Sequence, residues 1–229
     1  MTIDYKTDIF PNQLSNQKEF LAQAIGHKLW EIERFFASNP QSFFDYYNNS
    51  VNKESYFSLN LGTTRFCFEG NLVHELQFYS ANSPIIKIPA SFSSPYGGEK
   101  YQLSQSGNFA PVRLRNCLGR VCADVRLWKF SETERFIRID KAEGIWTPAL
   151  AEEYEAERKE EGEELTDSGI SYLLSNGEEI IYCCNFYDDR LCDRLLFVED
   201  LKKEYIHSCY SLKENQYTIE PSARTYSYN

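Results

Sequence analysis

The residues best suited to binding chemistry lie in the stretch RVCADVRLWKF, residues 120–130 of this 229-residue chain. In a β-strand, alternate side chains face opposite sides, so Asp124, Arg126 and Trp128 share one face. The opposite face is apolar and core-like, and it carries Val121, Ala123, Val125 and Leu127. A face that mixes charge with aromatic rings suits either a solvated outer surface or the lining of a ligand pocket.

A second stretch, GEEIIYCCNFYDDRLCDRLLF at residues 177–197, predicts two strands joined by an acidic turn. The two stretches together offer Arg126 and Arg194 beside aromatic neighbours. A guanidinium among apolar residues needs a carboxylate, either from the protein or from a ligand. The alternative is a set of exposed cross-strand ion pairs, each contributing about 0.2–1 kcal/mol. Alternation alone leaves both interpretations open.

No motif assigns a reaction or a metal. The common phosphate-binding, dinucleotide-binding, hydrolase and zinc-protease signatures are absent from the sequence, and the catalytic residues stay unknown. Cys183 and Cys184 are adjacent, so in a strand they face opposite sides and cannot chelate one ion together. Cys117 and Cys122 have no second pair to complete four ligands. We therefore expect no metal site.

Composition narrows the class of protein. The apolar content of 42% supports one folded domain over residues 1–229. The formal charge is −10, of which residues 151–166 supply −6, and no Lys/Arg-rich run offers the counter-charge that nucleic acids require. No apolar run is long enough for a membrane span, and the N-terminus does not resemble a secretory signal. Seven irregularly spaced cysteines indicate a reducing, cytoplasmic or plastid-stroma-like compartment.

The elements that position these residues begin with a predicted helical region over residues 1–50. Residues 16–37 place apolar side chains at steps of three and four, which predicts an amphipathic helix with a buried stripe of Leu21, Ile25, Leu29, Ile32 and Phe36. Asn39 and Pro40 then predict the start of a second helix.

From residue 55 the apolar period changes to two, which predicts about a dozen short strands. They include residues 111–116, 120–130 and 134–140. We expect a mainly β fold, an antiparallel meander that closes into a lipocalin-like barrel or a curved sheet. The Glu-rich residues 148–165 predict an exposed helix inserted between two strands.

The C-terminal third resembles the S-type phycobiliprotein lyases, a lipocalin-like family that helps attach bilin chromophores to proteins. The likeness covers residues 169–210. It is carried by GISYLLSNGEEIIYCCNFYDDRLCDRLLF, in which Gly169 to Tyr172, an acidic turn, Phe186 and the strand from Asp193 to Phe197 follow the family pattern. Leu196 departs from that pattern, because the family usually has tryptophan there.

The resemblance implies binding of a bilin, a conjugated tetrapyrrole with two propionates, and its delivery to a cysteine of an acceptor protein. Arginine forks suit the propionates, a carboxylate suits the pyrrole N–H groups, and aromatic rings suit the faces. The implied ligand-binding set is Asp124, Arg126, Trp128, Tyr182 and Arg194. No other cofactor is expected. The alternative is a non-enzymatic adaptor that binds a protein partner through its acidic helix.

Overall fold

The computed structural model describes residues 14–36, 57, 59–60, 63–78, 86–87, 99–105, 109–130, 140–141, 143–164, 167–184, 193–201 and 206–219. Strands predominate in this part of the chain, as the sequence predicts. The strands are β1 (Leu29–Phe36), β2 (Leu59–Asn60), β3 (Thr63–Phe68), β4 (Leu72–Phe78), β5 (Ile86–Lys87), β6 (Glu99–Gln102), β7 (Cys122–Phe130), β8 (Gly169–Leu174), β9 (Glu179–Cys184), β10 (Asp193–Phe197), β11 (Ile206–Ser211) and β12 (Gln216–Ile219). The helices are α1 (Lys18–Ala22), α2 (Val112–Arg115) and α3 (Pro148–Glu164).

The strands form two sheets, and every pairing between them is antiparallel. The five-stranded sheet has the order β5-β4-β3-β1-β6, and the seven-stranded sheet has the order β12-β11-β7-β8-β9-β10-β2. Strand β2 pairs with β10 in the second sheet, although β3 follows it closely in sequence and belongs to the first.

A common core lies between the sheets. One buried cluster joins Leu29, Ile32 and Phe66 of the five-stranded sheet to Leu127 and Tyr172 of the seven-stranded sheet. We call the faces that supply this core the inner faces. The outer face of the seven-stranded sheet carries a second buried cluster, made of Trp128, Phe130, Ile181, Cys183, Leu201, Ile206 and Cys209. Burial on both faces explains the nearly continuous apolar runs of β8 and β9.

The predicted closed barrel is not found among the described strands, which form two open sheets. The sheets are joined where β1 and β7 begin, by an antiparallel bridge between Lys28 and Val121. The amide of Leu29 donates to the carbonyl of Arg120 at 2.8 Å, and that of Cys122 donates to the carbonyl of His27 at 2.8 Å. Among the described residues, this bridge and the main-chain hydrogen bonds beside it link the sheets without closing them into a cylinder.

The predicted helix over residues 16–37 is wrong in its second half. Helix α1 ends at Ala22, Gly26 adopts a positive φ of 90°, and Leu29–Phe36 form β1. A β-bulge between Leu29 and Glu31 places Leu29 and Ile32 on the same inner face. Two buried apolar residues are therefore three positions apart in a strand, which is the spacing expected for one face of a helix. The expected burial of Leu21, Leu29 and Ile32 is confirmed, although the predicted element is wrong.

Residues 111–116, which the sequence predicts as a strand, form helix α2, with Pro111 at its N-cap and Leu114 buried. Proline before a turn with Leu114 and Cys117 three residues apart fits a helical turn better than a strand. The strands predicted within 120–130 and 169–219 are confirmed. The predicted strand at 134–140 lies, apart from Asp140, outside the described residues, as does the helix expected after Asn39.

The predicted acidic helix is confirmed as α3 (Pro148–Glu164). Ala151 is buried and Tyr154 is half-buried, and the Tyr154 hydroxyl donates to Asp140 Oδ2 at 2.5 Å. The Tyr154 ring also stacks on Trp146, with the ring centroids 6.0 Å apart. These contacts pack the first half of α3 against the preceding segment. None of the described helices is long and apolar enough to cross a bilayer.

Candidate functional site

Three of the predicted ligand-binding residues, Asp124, Arg126 and Trp128, lie together on the outer face of the seven-stranded sheet. A bulge between Cys122 and Asp124 sets this register. The core-like face predicted for β7 is confirmed for Val125 and Leu127, which join the inner core. The charged and aromatic face is therefore turned away from the five-stranded sheet, and it does not line the space between the sheets.

The charges on this outer face neutralise one another. Arg126 Nε donates to Asp124 Oδ2 at 3.0 Å, and Arg126 Nη1 donates to Glu179 Oε2 at 3.0 Å. Asp124 also accepts hydrogen bonds from the hydroxyl of Ser211 at 2.8 Å and the amide of Lys213 at 3.0 Å. Arg126 thus meets two carboxylates of its own chain, as the ion-pair interpretation of the sequence expects.

The network continues to Trp128. Its indole N–H donates to Ser171 Oγ at 2.7 Å, and the Ser171 hydroxyl donates to Glu179 Oε1 at 2.5 Å. Gly169 lies opposite Trp128 in the sheet. A Cβ atom on Gly169 would lie 3.1 Å from the Cβ of Cys183 and 3.2 Å from Ile181 Cδ1. Glycine at this position lets side chains of the two flanking strands, β7 and β9, pack closely over β8.

Burial and charge act against each other in this network. Burial raises the pKa of Glu179, while the hydrogen bond from Ser171 and the charge of Arg126 oppose that rise. Burial by itself would lower the pKa of Arg126, but Glu179 and Asp124 raise it above its ordinary value. Arg126 therefore stays charged, and the arrangement is that of a satisfied structural network.

The other two predicted residues do not complete a single wall. Tyr182 is buried in the core on the inner face of β9. Arg194 lies opposite Cys183, on the same outer face as Trp128, and is half-buried. Three strand spacings separate β7 from β10, which is about 14 Å. The structure therefore gathers Asp124, Arg126 and Trp128 and leaves Tyr182 and Arg194 apart from them.

A different polar group lies on the inner faces, between the sheets. Arg34 follows Ile32 on the inner face of β1, and Thr64 of β3 lies directly opposite Arg34. His74 of β4 lies opposite Phe66, and its Nδ1 is 3.0 Å from the hydroxyl of Tyr172 on β8. All four side chains have 0% exposure. We call Arg34, Thr64, His74 and Tyr172 the interior cluster.

The interior cluster has unmet hydrogen-bonding capacity. The buried hydroxyl of Thr64 makes no hydrogen bond in the described part of the chain, and His74 Nε2 makes none of good geometry there. Burial lowers the pKa of His74 from 6.5 to about 4, and a hydrogen bond with the Phe20 main chain partly opposes that change. A buried polar atom without a partner costs about 1–3 kcal/mol, so each such atom calls for an explanation, and a bound group is one.

Aromatic rings surround the histidine of this cluster. His74 lies 5.0 Å from the ring of Phe20 and 5.2 Å from that of Phe68, measured between centroids. The Tyr172 ring lies 4.4 Å from Phe66 and 5.3 Å from Phe68. The polar atoms of the interior cluster are therefore surrounded by aromatic rings.

No protein-family model, curated protein or solved structure matches this chain.

The described cysteines do not form a reactive centre. Cys67, Cys117, Cys122, Cys183 and Cys209 are buried thiols that are not in disulfides. Burial raises the pKa of Cys117 to about 11 and that of Cys122 and Cys209 to about 12. Burial, with Glu33 and Glu31, raises the pKa of Cys67 to about 12. Because the thiolate is the nucleophile, the thiols of Cys67, Cys117, Cys122 and Cys209 are poor nucleophiles. The described residues also hold no group of three side chains suited to a metal.

Sequence reasoning missed Arg34 and Thr64 and gave His74 little weight. Arg34 was hidden because a helix over residues 16–37 leaves it outside the apolar stripe. Alternation beyond the bulge would have found it, since Ile32 and Arg34 are two residues apart and face the same side. His74 lies on β4 of the five-stranded sheet, whereas His207 lies on β11 of the seven-stranded sheet.

Proposed function

We propose that this protein binds a small, amphipathic, carboxylate-bearing ligand between its two sheets. The observation that carries the proposal is the hydroxyl of Thr64, which is wholly buried and makes no hydrogen bond in the described part of the chain, directly opposite the buried guanidinium of Arg34. A ligand carboxylate accepts from both groups. Hydrogen bonds from a guanidinium to a carboxylate are among the stronger ones in proteins.

The surroundings favour a flat, conjugated ligand of the bilin type. Phe20, Phe66, Phe68 and Tyr172 present ring faces beside the polar atoms. Pyrrole rings pack well on such faces, and propionates suit the donors of Arg34 and Thr64. The resemblance of residues 169–210 to the S-type phycobiliprotein lyases suggests the same ligand class.

The proposed ligand site lies on the inner faces of the sheets, whereas most of the residues that the sequence assigned to the ligand lie on the outer face of the seven-stranded sheet. Of the five residues that the sequence assigned to the ligand, Tyr182 belongs to the inner core. The charge of Arg126 is met by Asp124 and Glu179, so we assign these three residues, with Trp128, to stabilisation of the sheet. Arg194 is left as a candidate contact at the edge of the second apolar cluster.

Titration with biliverdin tests the proposal. We expect a shifted and sharpened visible absorbance band when biliverdin is mixed with the protein. Thr64→Val removes only the hydroxyl and should weaken binding by about 2- to 10-fold, the worth of one hydrogen bond. Thr63→Val is the matched control, because Thr63 is equally buried and also lacks a hydrogen bond in the described chain but faces the outer side. Equal affinities of the two variants would refute the proposal.

Delivery of the bilin to an acceptor protein is the second step that the resemblance suggests. The acceptor thiolate would add to the ethylidene carbon, so that an S–C bond forms as the exocyclic C=C π bond breaks and a ring carbon takes up a proton. No oxidant is required. The buried thiols of Cys122 and Cys209, with their raised pKa values, do not compete as nucleophiles, so this chain contributes by holding the bilin and excluding water.

A further inference from the structure

His74 faces the same interior as Arg34 and offers a second point of attachment. Strand β3 separates β1 from β4, and His74 lies opposite Phe66, which itself lies opposite Ile32. Strand spacing and rise place the Cα atoms of Arg34 and His74 about 12 Å apart. One ligand with two acceptor groups can therefore reach both residues.

We infer that His74 is a second anion-binding point of this site and takes up a proton when a ligand carboxylate docks against its Nε2 atom. The inference rests on the proposed function and deepens it, because it specifies a dicarboxylate as the ligand class. A carboxylate beside Nε2 favours the imidazolium, so binding and protonation stabilise each other.

The partner of Nδ1 suits both protonation states. A phenol can donate a hydrogen bond to neutral Nδ1 and can accept one from protonated Nδ1, so Tyr172 serves the histidine in either state. Burial, with a smaller contribution from the neighbouring Cys122 thiol, raises the pKa of Tyr172 well above its usual range, so its hydroxyl keeps its proton. The free imidazole is held neutral by burial, with a pKa of about 4.

The neighbouring elements contribute few competing charges. Strand β1 contributes Arg34, β8 contributes Tyr172 and β7 contributes Cys122, whose thiol has a raised pKa. Helix α1 contributes the ring of Phe20 and a main-chain hydrogen bond with His74, and β3 contributes Phe66 and Phe68. Among the described residues on these inner faces there is no carboxylate to satisfy a charged His74. A ligand carboxylate supplies the missing charge.

Calorimetric titration with biliverdin in phosphate and in Tris tests this inference, because the two buffers differ in ionisation enthalpy. At about pH 6 we expect uptake of about one proton per bound biliverdin, and affinity that rises up to about tenfold for each pH unit of acidification. His74→Gln keeps a polar partner for Tyr172 but cannot titrate, so its proton uptake should fall to near zero.

The biliverdin dimethyl ester gives a second measurement that needs no variant. It lacks both carboxylates, so it should bind the parent protein more weakly and without proton uptake. Equal proton uptake by the parent and His74→Gln, or by the acid and the ester, would overturn the second binding point while leaving the proposed function intact. Failure of the parent protein to bind biliverdin at all would overturn both.

Discussion

At the scale of single residues, His74 makes stability depend on pH even without a ligand. Its pKa is about 4 in the folded protein against 6.5 in an unfolded chain. A lowered folded pKa gives stability that is fully present above pH 6.5 and is lost as pH falls towards 4, because only the unfolded state gains the proton. The difference corresponds to about 3 kcal/mol.

Urea denaturation between about pH 7 and pH 4 measures this loss. The parent protein should lose about 3 kcal/mol more than His74→Gln over this range, because the carboxylates common to both proteins cancel in the comparison. Parallel stability curves for the two proteins would show that His74 is not held neutral by the fold.

The sequence predicted which side chains of a strand share a face, but it did not predict which of the two faces meets the other sheet. Asp124, Arg126 and Trp128 were expected to share a face, and they do. Alternation cannot tell whether that face looks inward or outward, because both faces of the seven-stranded sheet are buried. Which face meets the other sheet depends on pairings between distant segments.

At the scale of elements, the β-bulge in β1 is the reason why the apolar spacing of this strand predicted a helix. The extra residue at the bulge turned an alternating strand into one with a three-residue step, which matched a helix. Helix α3 was easier to predict. It opens with proline and contains strong helix formers, and both signals are local.

Truncation of α3 tests how much of it the fold requires. Replacing residues 156–164 with a short Gly/Ser bridge should change the melting temperature by only a few degrees, the usual scale of surface effects. Tyr154 and its contacts with Trp146 and Asp140 remain in this variant. Tyr154→Ala is the informative comparison, since it keeps the rest of the helix sequence but removes those contacts and should lower the melting temperature more. A large drop on truncation alone would show that the distal half is structural.

At the scale of the whole molecule, antiparallel β architecture was predictable and closure was not. Alternating runs specify strands and their faces, but the number of sheets depends on which strands pair across long stretches of sequence. The pairing of β2 with β10 is of this kind. No local signal near residue 59 indicates a partner near residue 193.

The reactivity of the buried thiols is a measure of whether the molecule is folded. Cys122 has 0% exposure and a pKa raised from 9.0 to about 12, so its thiolate fraction at neutral pH is about a thousandfold lower than in the unfolded chain. Alkylation with iodoacetamide followed by peptide mass spectrometry should therefore label this thiol, and Cys67 and Cys209 with it, far more slowly in buffer than in urea. Rapid labelling of Cys122 under native conditions would contradict the buried assignment.

The pairing of β2 with β10 also bears on how the chain matures during synthesis. Strand β2 leaves the ribosome well before β9 and β10, so its own sheet partner does not yet exist, whereas β1, β3 and β4 can already pair. The five-stranded sheet must then present its inner face to solvent until the second half arrives, and this exposure is the kind that chaperones recognise. Contacts between such distant segments also slow folding. The two halves of the chain are therefore topologically interlocked, because a break at the α3 insertion would divide the seven-stranded sheet, with β2 and β7 on one piece and β8 to β12 on the other.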